Sequence, residues 1–207
     1  EYCKEQKIPR FLYASSMAVY GDTPDTPISI LQSPHPKSYY GISKLAGEYY
    51  VDAFSDRLHT TSFRMFNVYG PGQDMENIRQ GMASIYLYYF MKGQPIMVKG
   101  SKDRSRDFIY IDDVASAWCK AGDEPKTFGK KYNLGSGKKT TVEELLRLMA
   151  EKWGDSNYPV EFKEGTPKDI FCSYADIREL VTDLGWKPET TIEKGLEAFI
   201  AWVKKSK

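Results

Sequence analysis

The sequence predicts an α/β fold: an incomplete Rossmann-type parallel sheet with a smaller C-terminal α+β domain. Three observations carry this. Short apolar runs alternate with stretches of helical spacing along most of the 207 residues. The apolar runs end in small polar residues, as strands buried on both faces do where they reach solvent. Apolar residues make up 41% of the chain, enough for an ordinary core. The expected division is residues 1–66, with returning segments near 106–136, for the sheet domain, and 67–105 with 137–207 for the second.

Glu1–Lys7 reads as the last turns of a helix, as if the chain were a piece of a longer protein. Phe11-Leu12-Tyr13-Ala14-Ser15 reads as a buried strand, and a Pro-rich loop follows it. Tyr39 to Phe54 has helical spacing and no Pro. Thr61 to Phe66 is the next expected strand, and Asn67-Val68-Tyr69-Gly70-Pro71-Gly72 an expected turn. Gly81 to Lys92 predicts a helix, Pro95 to Val98 and Phe108 to Ile111 strands, and Asp112 the N-cap of a helix to about Ala121. Lys131 to Leu134 predicts a strand and Gly135-Ser136-Gly137 a turn. Thr140 and Thr141 each precede a Glu by three residues, a capping-box pattern for a helix to about Trp153. A short strand, Val160 to Phe162, and two helices, Asp176 to Leu184 and Ile192 to Val203, complete the chain.

Composition removes several classes of function. The net charge is +1, which gives no electrostatic footprint for nucleic acid or an anionic membrane. The longest apolar-rich run, Met82 to Met91, is about half a membrane span. Cys3, Cys119 and Cys172 are odd in number and far apart, unlike a disulfide framework, and fit a reducing cytoplasm. His35 and His59 are the only histidines, too few for an H-E-x-x-H metal site.

Tyr40 and Lys44 stand four apart and share one face of the expected helix. An ammonium beside a phenol favours the phenolate and makes Tyr a usable general base. Spacing alone is weak: chance gives about 1.5 such pairs in this composition, and Tyr88 with Lys92 is a second. Context separates them. Ser15 and Ser16 end a buried strand upstream of Tyr40, and in open α/β sheets ligands bind at the carboxyl ends of strands. Gly135-Ser136-Gly137-Lys138-Lys139-Thr140 mimics a phosphate-binding P-loop but lacks the Gly required at Tyr132 and the Ser/Thr required directly after the first Lys.

In combination, Ser15-Ser16-Met17-Ala18-Val19-Tyr20-Gly21, Tyr40-Gly41-Ile42-Ser43-Lys44, Phe66-Asn67-Val68-Tyr69-Gly70-Pro71, Arg106-Asp107-Phe108-Ile109-Tyr110-Ile111-Asp112-Asp113-Val114, Tyr132-Asn133-Leu134-Gly135-Ser136-Gly137 and Tyr174-Ala175-Asp176 resemble the extended short-chain dehydrogenases/reductases. The nearest likeness is to nucleotide-sugar 4-epimerases of the UDP-glucose (UDP-galactose) 4-epimerase type. The resemblance runs from about Arg10 to Lys204. It implies NAD as cofactor and a nucleotide sugar as substrate, epimerised at C4 through a 4-keto intermediate. It implies Ser16, Tyr40 and Lys44 as catalytic residues, and Ser15, Phe66, Tyr40 and Lys44 at the cofactor. It implies Ser16, Asn67, Arg106 and Asp169 at the substrate, Arg106 offering a fixed charged fork to the diphosphate. An ion pair with Asp107 or Asp103 is the structural alternative for Arg106, and a surface position that for Asp169. The related 4,6-dehydratases carry Asp-Glu where this chain has Ser16-Met17, so the resemblance favours epimerase over dehydratase.

Two features depart from the family. A common R-P-G-D stretch reads Thr166-Pro167-Lys168-Asp169, which lacks the charged fork. None of the 16 glycines forms G-x-G-x-x-G, the turn that receives the NAD pyrophosphate. The resemblance therefore implies about a hundred further residues ahead of Glu1 in such an enzyme. The expected assembly is a homodimer, or association with such an N-terminal segment across the edge near Phe11. A keto-sugar reductase and a non-catalytic fragment retaining the fold stand as alternatives.

Overall fold

The computed structural model describes residues 2–23, 26–77, 81–165 and 171–205. Its elements run α1 (Tyr2–Glu5), β1 (Arg10–Ser16), α2 (Tyr39–Ala53), β2 (His59–Met65), β3 (Asn67–Tyr69), α3 (Met82–Lys92), β4 (Ile96–Lys99), β5 (Ser105–Arg106) and β6 (Phe108–Tyr110). They continue α4 (Ile111–Asp123), β7 (Lys130–Leu134), β8 (Thr140–Thr141), α5 (Val142–Trp153), β9 (Val160–Lys163), β10 (Cys172–Ser173), α6 (Arg178–Leu184) and α7 (Ile192–Lys205). Every expected helix and strand is present, within a few residues.

The main sheet is parallel, in the order β1-β2-β7. Its register sets Ser15 beside Arg64 and Met65 beside Leu134. Among the described residues β1 pairs with β2 alone, so it forms an edge. Three smaller sheets complete the fold: β3 with β6, β4 with β9, and β5 between β10 and β8. Phe63, Tyr132, Leu134, Val114, Leu180 and Trp186 form the core beneath the main sheet. A larger core joins β4 and β6 to α3, α5 and α7 through Leu87, Phe90, Tyr110, Leu145, Met149 and Phe199.

Three local expectations change. The first half of the expected turn at 67–72 is strand β3, because Asn67-Val68-Tyr69 finds a parallel partner in Phe108–Tyr110 forty residues on. Gly70, at φ 147°, and Pro71 then end it. Asp112 is not the N-cap of α4: Tyr110 is, without a side-chain cap, and Asp112 and Asp113 lie in the first turn, where carboxylates favour the helix dipole. Asp113 turns to accept from the Glu189 and Thr190 amides at 3.0 and 3.1 Å, which ties the approach to α7 onto α4. Asp176 precedes α6 and accepts from the Arg178 guanidinium. The capping box holds at Thr141, whose hydroxyl accepts from the Glu144 amide at 3.0 Å.

Two contacts set the position of the second sheet. Asp107, between β5 and β6, is wholly buried. Its carboxylate accepts from the Ser136 amide (2.7 Å), the Ser136 hydroxyl (2.6 Å), the Gly137 amide (2.9 Å) and the Ala175 amide (3.0 Å). Its carbonyl accepts from the Asn67 amide and the Asn67 side-chain N–H at 3.1 and 2.8 Å. Burial pushes the Asp107 carboxyl up, and these donors pull it back toward the charged form. The second contact is Tyr69 against α7: its hydroxyl lies 2.1 Å from where a Cβ on Gly195 would stand, so only glycine fits there.

Asp107→Ala strands the buried Ala175 N–H and the half-buried N–H groups of Ser136 and Gly137, and is expected to lower stability by about 2–5 kcal/mol. Asp107→Asn keeps an acceptor and should cost less. Urea unfolding of the two variants measures both; equal and negligible losses would remove Asp107 from this role.

Candidate active site

Ser16 closes β1 in extended backbone, and its hydroxyl oxygen accepts from the Ala18 amide at 3.2 Å, capping a short 3₁₀ turn over Met17–Val19. Its own hydroxyl hydrogen is not used in that bond. Met17, in place of an acidic residue, packs against the core formed by Val19, Tyr20, Ile28, Phe66 and Ala175.

Helix α2 brings up Tyr40 and Lys44. Its N-cap Ser38 accepts from the Gly41 amide at 3.0 Å. Gly41 lies against the 3₁₀ turn that follows β1: a Cβ there would stand 2.4 Å from the Ala18 carbonyl oxygen. A Cβ on Gly47 would meet the Tyr13 hydroxyl at 1.9 Å. The two glycines let α2 lie directly on β1. Lys44 donates to the Ala14 carbonyl at 2.9 Å, and its ammonium stands 5.6 Å from the centre of the Tyr40 ring and 5.7 Å from that of Tyr13. Tyr40 itself is 56% exposed. The competing pair has similar geometry, with Lys92 5.3 Å from the Tyr88 ring. Lys92, however, faces Glu76 at the surface, and neither residue lies at a strand end.

A cleft of about 770 Å³ opens at the carboxyl ends of β1 and β2. Ser15, Ser16, Met17, Tyr40, Met65, Phe66, Asn67 and Val68 line it, with Gln73, Asn77 and Gly81 on the far side. Five of the eight expected site residues therefore share one cavity: Ser15, Ser16, Tyr40, Phe66 and Asn67. Lys44 stands behind Tyr40. The Ser15 hydroxyl is committed elsewhere, donating to Glu48 at 2.5 Å. Asn67 spends a side-chain N–H on Asp107. Phe66 is buried and joins the cleft wall to the core.

Arg106 does not line this cleft. It sits on β5 and donates to the Ser105 carbonyl at 2.8 Å. Burial, and then the neighbouring Arg104 charge, push its guanidinium down to about 10. Asp107, offered as its ion-pair partner, directs its carboxylate to Ser136, Gly137 and Ala175. The same contacts account for the P-loop mimic: the Ser136 and Gly137 amides that would cradle a phosphate serve Asp107. Asp169 lies outside the described residues.

Sequence reasoning missed Glu48 and Arg64, one side chain behind the cleft. Glu48 is wholly buried and takes the Arg64 guanidinium at 2.9 Å (Nε) and 2.7 Å (Nη2). The spacing Tyr40, Lys44, Glu48, one helical turn each, was the available signal.

The sequence pattern of the "NAD dependent epimerase/dehydratase family" matches residues 1–135. A putative UDP-glucose 4-epimerase of Methanocaldococcus jannaschii is 31% identical over 208 residues, covering 99% of this chain and 66% of the relative. A UDP-glucose 4-epimerase of Thermotoga maritima, solved with UDP-glucose, superposes with a TM-score of 0.91 at 30% identity, over 99% of this chain and 66% of that one. A UDP-N-acetylglucosamine 4-epimerase of Methanobrevibacter ruminantium, solved with UDP-N-acetylmuramic acid, gives 0.92 at 28% identity and the same coverage. The chain thus spans just under two thirds of the length of these proteins.

The contact at Gly41 yields a signed test. Gly41→Ala forces α2 off the Ala18 carbonyl and is expected to cost about 1–3 kcal/mol. Gly122→Ala, in α4 with open space around it, is expected to stabilise by about 0.5–1 kcal/mol. Thermal unfolding of the two variants should show shifts of opposite sign.

Proposed function

The chain belongs to the NAD dependent epimerase/dehydratase family, and from that premise we propose that the whole protein interconverts nucleotide sugars epimeric at C4. The observation that carries this is the shared cleft of Ser16 and Tyr40, with Lys44 tied behind Tyr40 and Met17 where a dehydratase would need an acid. UDP-sugars of the glucose/galactose kind are the proposed substrates, in keeping with the relatives.

Tyr40, as phenolate, takes the proton of the sugar 4-hydroxyl. The Lys44 ammonium, fixed by the Ala14 carbonyl, stands 5.6 Å from the centre of the Tyr40 ring. Ser16 keeps its hydroxyl hydrogen for the reacting oxygen and steadies the 4-keto sugar while it turns over. Tyr40 then returns the proton to the opposite epimer, so the cycle is neutral in protons. The cleft fits the proposed cofactor as well: Met17, Met65, Phe66 and Val68 offer an apolar wall to a nicotinamide ring, and Ser16, Tyr40, Asn67 and Gln73 offer polar groups to a sugar. Bound there, NAD supplies reversible hydride acceptance at C4. Lys44 and Tyr40 would hold its nicotinamide ribose, Phe66 its ring, and Ser15 its backbone contact, the Ser15 hydroxyl being engaged by Glu48. Asn67, on the cleft wall, and Arg106, on β5 outside it, are the proposed holders of the sugar-nucleotide diphosphate, Arg106 through its fixed charged fork. Asp169 would add a polar contact to the nucleotide.

Incubating the full-length protein with UDP-glucose, UDP-N-acetylglucosamine and UDP-glucuronate should convert at least one to its 4-epimer with no net cofactor consumption. A 4-keto-6-deoxy product would mean a dehydratase, and stoichiometric cofactor consumption a keto-sugar reductase. Tyr40→Phe should lower kcat by a factor on the order of 10²–10⁴ without unfolding the protein. Tyr88→Phe should leave it unchanged. Equal activity of these two variants would remove Tyr40 from the mechanism.

A further inference from the structure

Side chains of β1 alternate between two neighbours. Leu12 packs against the core beneath the main sheet. Tyr13 and Ser15, two residues apart and so on one face, both meet α2: the Ser15 hydroxyl donates to Glu48 at 2.5 Å, and the Tyr13 hydroxyl to the Lys44 carbonyl at 3.4 Å. Tyr13 is half-buried, yet it belongs to none of the three apolar cores among the described residues. Its ring lies in a notch of the helix instead. A Cβ on Gly47 would overlap the Tyr13 hydroxyl, so glycine at that position makes room for the ring.

Lys44 is the charge this ring meets. Its ammonium stands 5.7 Å from the centre of the Tyr13 ring and 5.6 Å from that of Tyr40, inside the ~6 Å over which a cation is drawn to a ring face. It also donates to the Ala14 carbonyl at 2.9 Å, so two successive residues of one strand grip it. A lysine carries its charge on a flexible stem. One carbonyl fixes one N–H and leaves the stem free to swing about that bond; a ring on a second side removes that freedom. The carboxylate one turn along α2, Glu48, is taken by Arg64, so a carbonyl and two rings place this ammonium rather than an ion pair. Burial, and then Glu48 and Tyr40, push the Tyr13 phenol up. It stays neutral beside Lys44 and acts through its ring face. Lys92 is placed differently, by the Tyr88 ring and the surface carboxylate of Glu76.

We propose that Tyr13 is a positioning residue for Lys44: its ring, seated in the notch at Gly47, works with the Ala14 carbonyl to hold the ammonium beside Tyr40 at the cleft. The kinetic consequence rests on the C4-epimerisation reading; the seating of Lys44 does not.

The test compares Tyr13→Leu, which removes the ring, with Tyr13→Phe, which keeps the ring and loses only the hydroxyl. Tyr13→Met takes the place of Tyr13→Leu if that variant fails to fold. Lysine Hε resonances of the full-length protein, labelled with ¹³C at lysine Cε, are assigned with Lys44→Arg and Lys92→Arg. The rings should displace the Lys44 resonance upfield in the unaltered protein. In Tyr13→Leu it should return toward the position of a free lysine, in Tyr13→Phe it should stay, and the Lys92 resonance should stay in both. In Tyr13→Leu kcat should fall by about tenfold with KM for the nucleotide sugar within a few-fold, and Tyr13→Phe should recover most of the loss. An unmoved Lys44 resonance in folded Tyr13→Leu, or equal displacement in the two variants, would overturn the proposal. A displaced resonance with kcat unchanged would strike out its part in catalysis. If the unaltered protein epimerises no nucleotide sugar, the functional reading falls and the lysine resonances alone decide whether Tyr13 seats Lys44.

Discussion

Asp107 joins three separated segments of this fold through one residue. It lies between β5 and β6, where the chain leaves the second sheet, and its two oxygens collect donors from the turn after β7 and the strand end after β10. Its backbone carbonyl meanwhile collects both N–H groups of Asn67 on the cleft wall. A wholly buried carboxylate is costly unless its lone pairs are filled, and here four donors from three sites fill them. Displacing the turn at 135–137 or Ala175 leaves that carboxylate under-solvated, and displacing the cleft wall frees the Asp107 carbonyl, so three segments are tied to one residue.

The charges near the cleft follow one rule: each is placed by backbone or by a buried partner, not by solvent. Lys44 is held by a strand carbonyl, Arg64 by Glu48, and Arg106 by the Ser105 carbonyl. Lys92, at the same spacing from a tyrosine as Lys44, is held by a surface carboxylate instead. A ring contact of similar length thus stands at the cleft in one helix and at the surface in the other. The difference lies in what stands behind the ammonium.

Elements with strong local signals were legible in the sequence. The helix over Tyr39–Ala53 has continuous periodicity, the helix from Val142 has its capping Thr, and β1 and β2 have apolar runs bounded by polar residues. What could not be read depends on partners distant in sequence. β3 looks like a turn until Phe108–Tyr110 lies beside it, and the two-residue strands β5, β8 and β10 are too short to alternate. In the site, Ser16, Tyr40 and Asn67 stand in motifs that single them out by resemblance, the Tyr–Lys spacing alone being weak. Glu48 does not, since a Glu in a helix reads as solvated until Arg64 is folded over it. The likeness of Arg106 and Asn67 as two groups for one substrate was legible only by resemblance; in the fold they stand on different strands, and one of them outside the cleft.

The seat of Tyr69 on α7 has a practical meaning. Asn67 and Val68 line the cleft, and the next residue along the same short strand presses its hydroxyl into the gap left by Gly195. Helix α7 is thereby geared to the wall of the cavity. Affinity tags, fusions or truncations that disturb Ile192–Lys205 would be transmitted to the cleft through one phenol ring, so an expression strategy that leaves this helix unburdened protects the site as well as the fold.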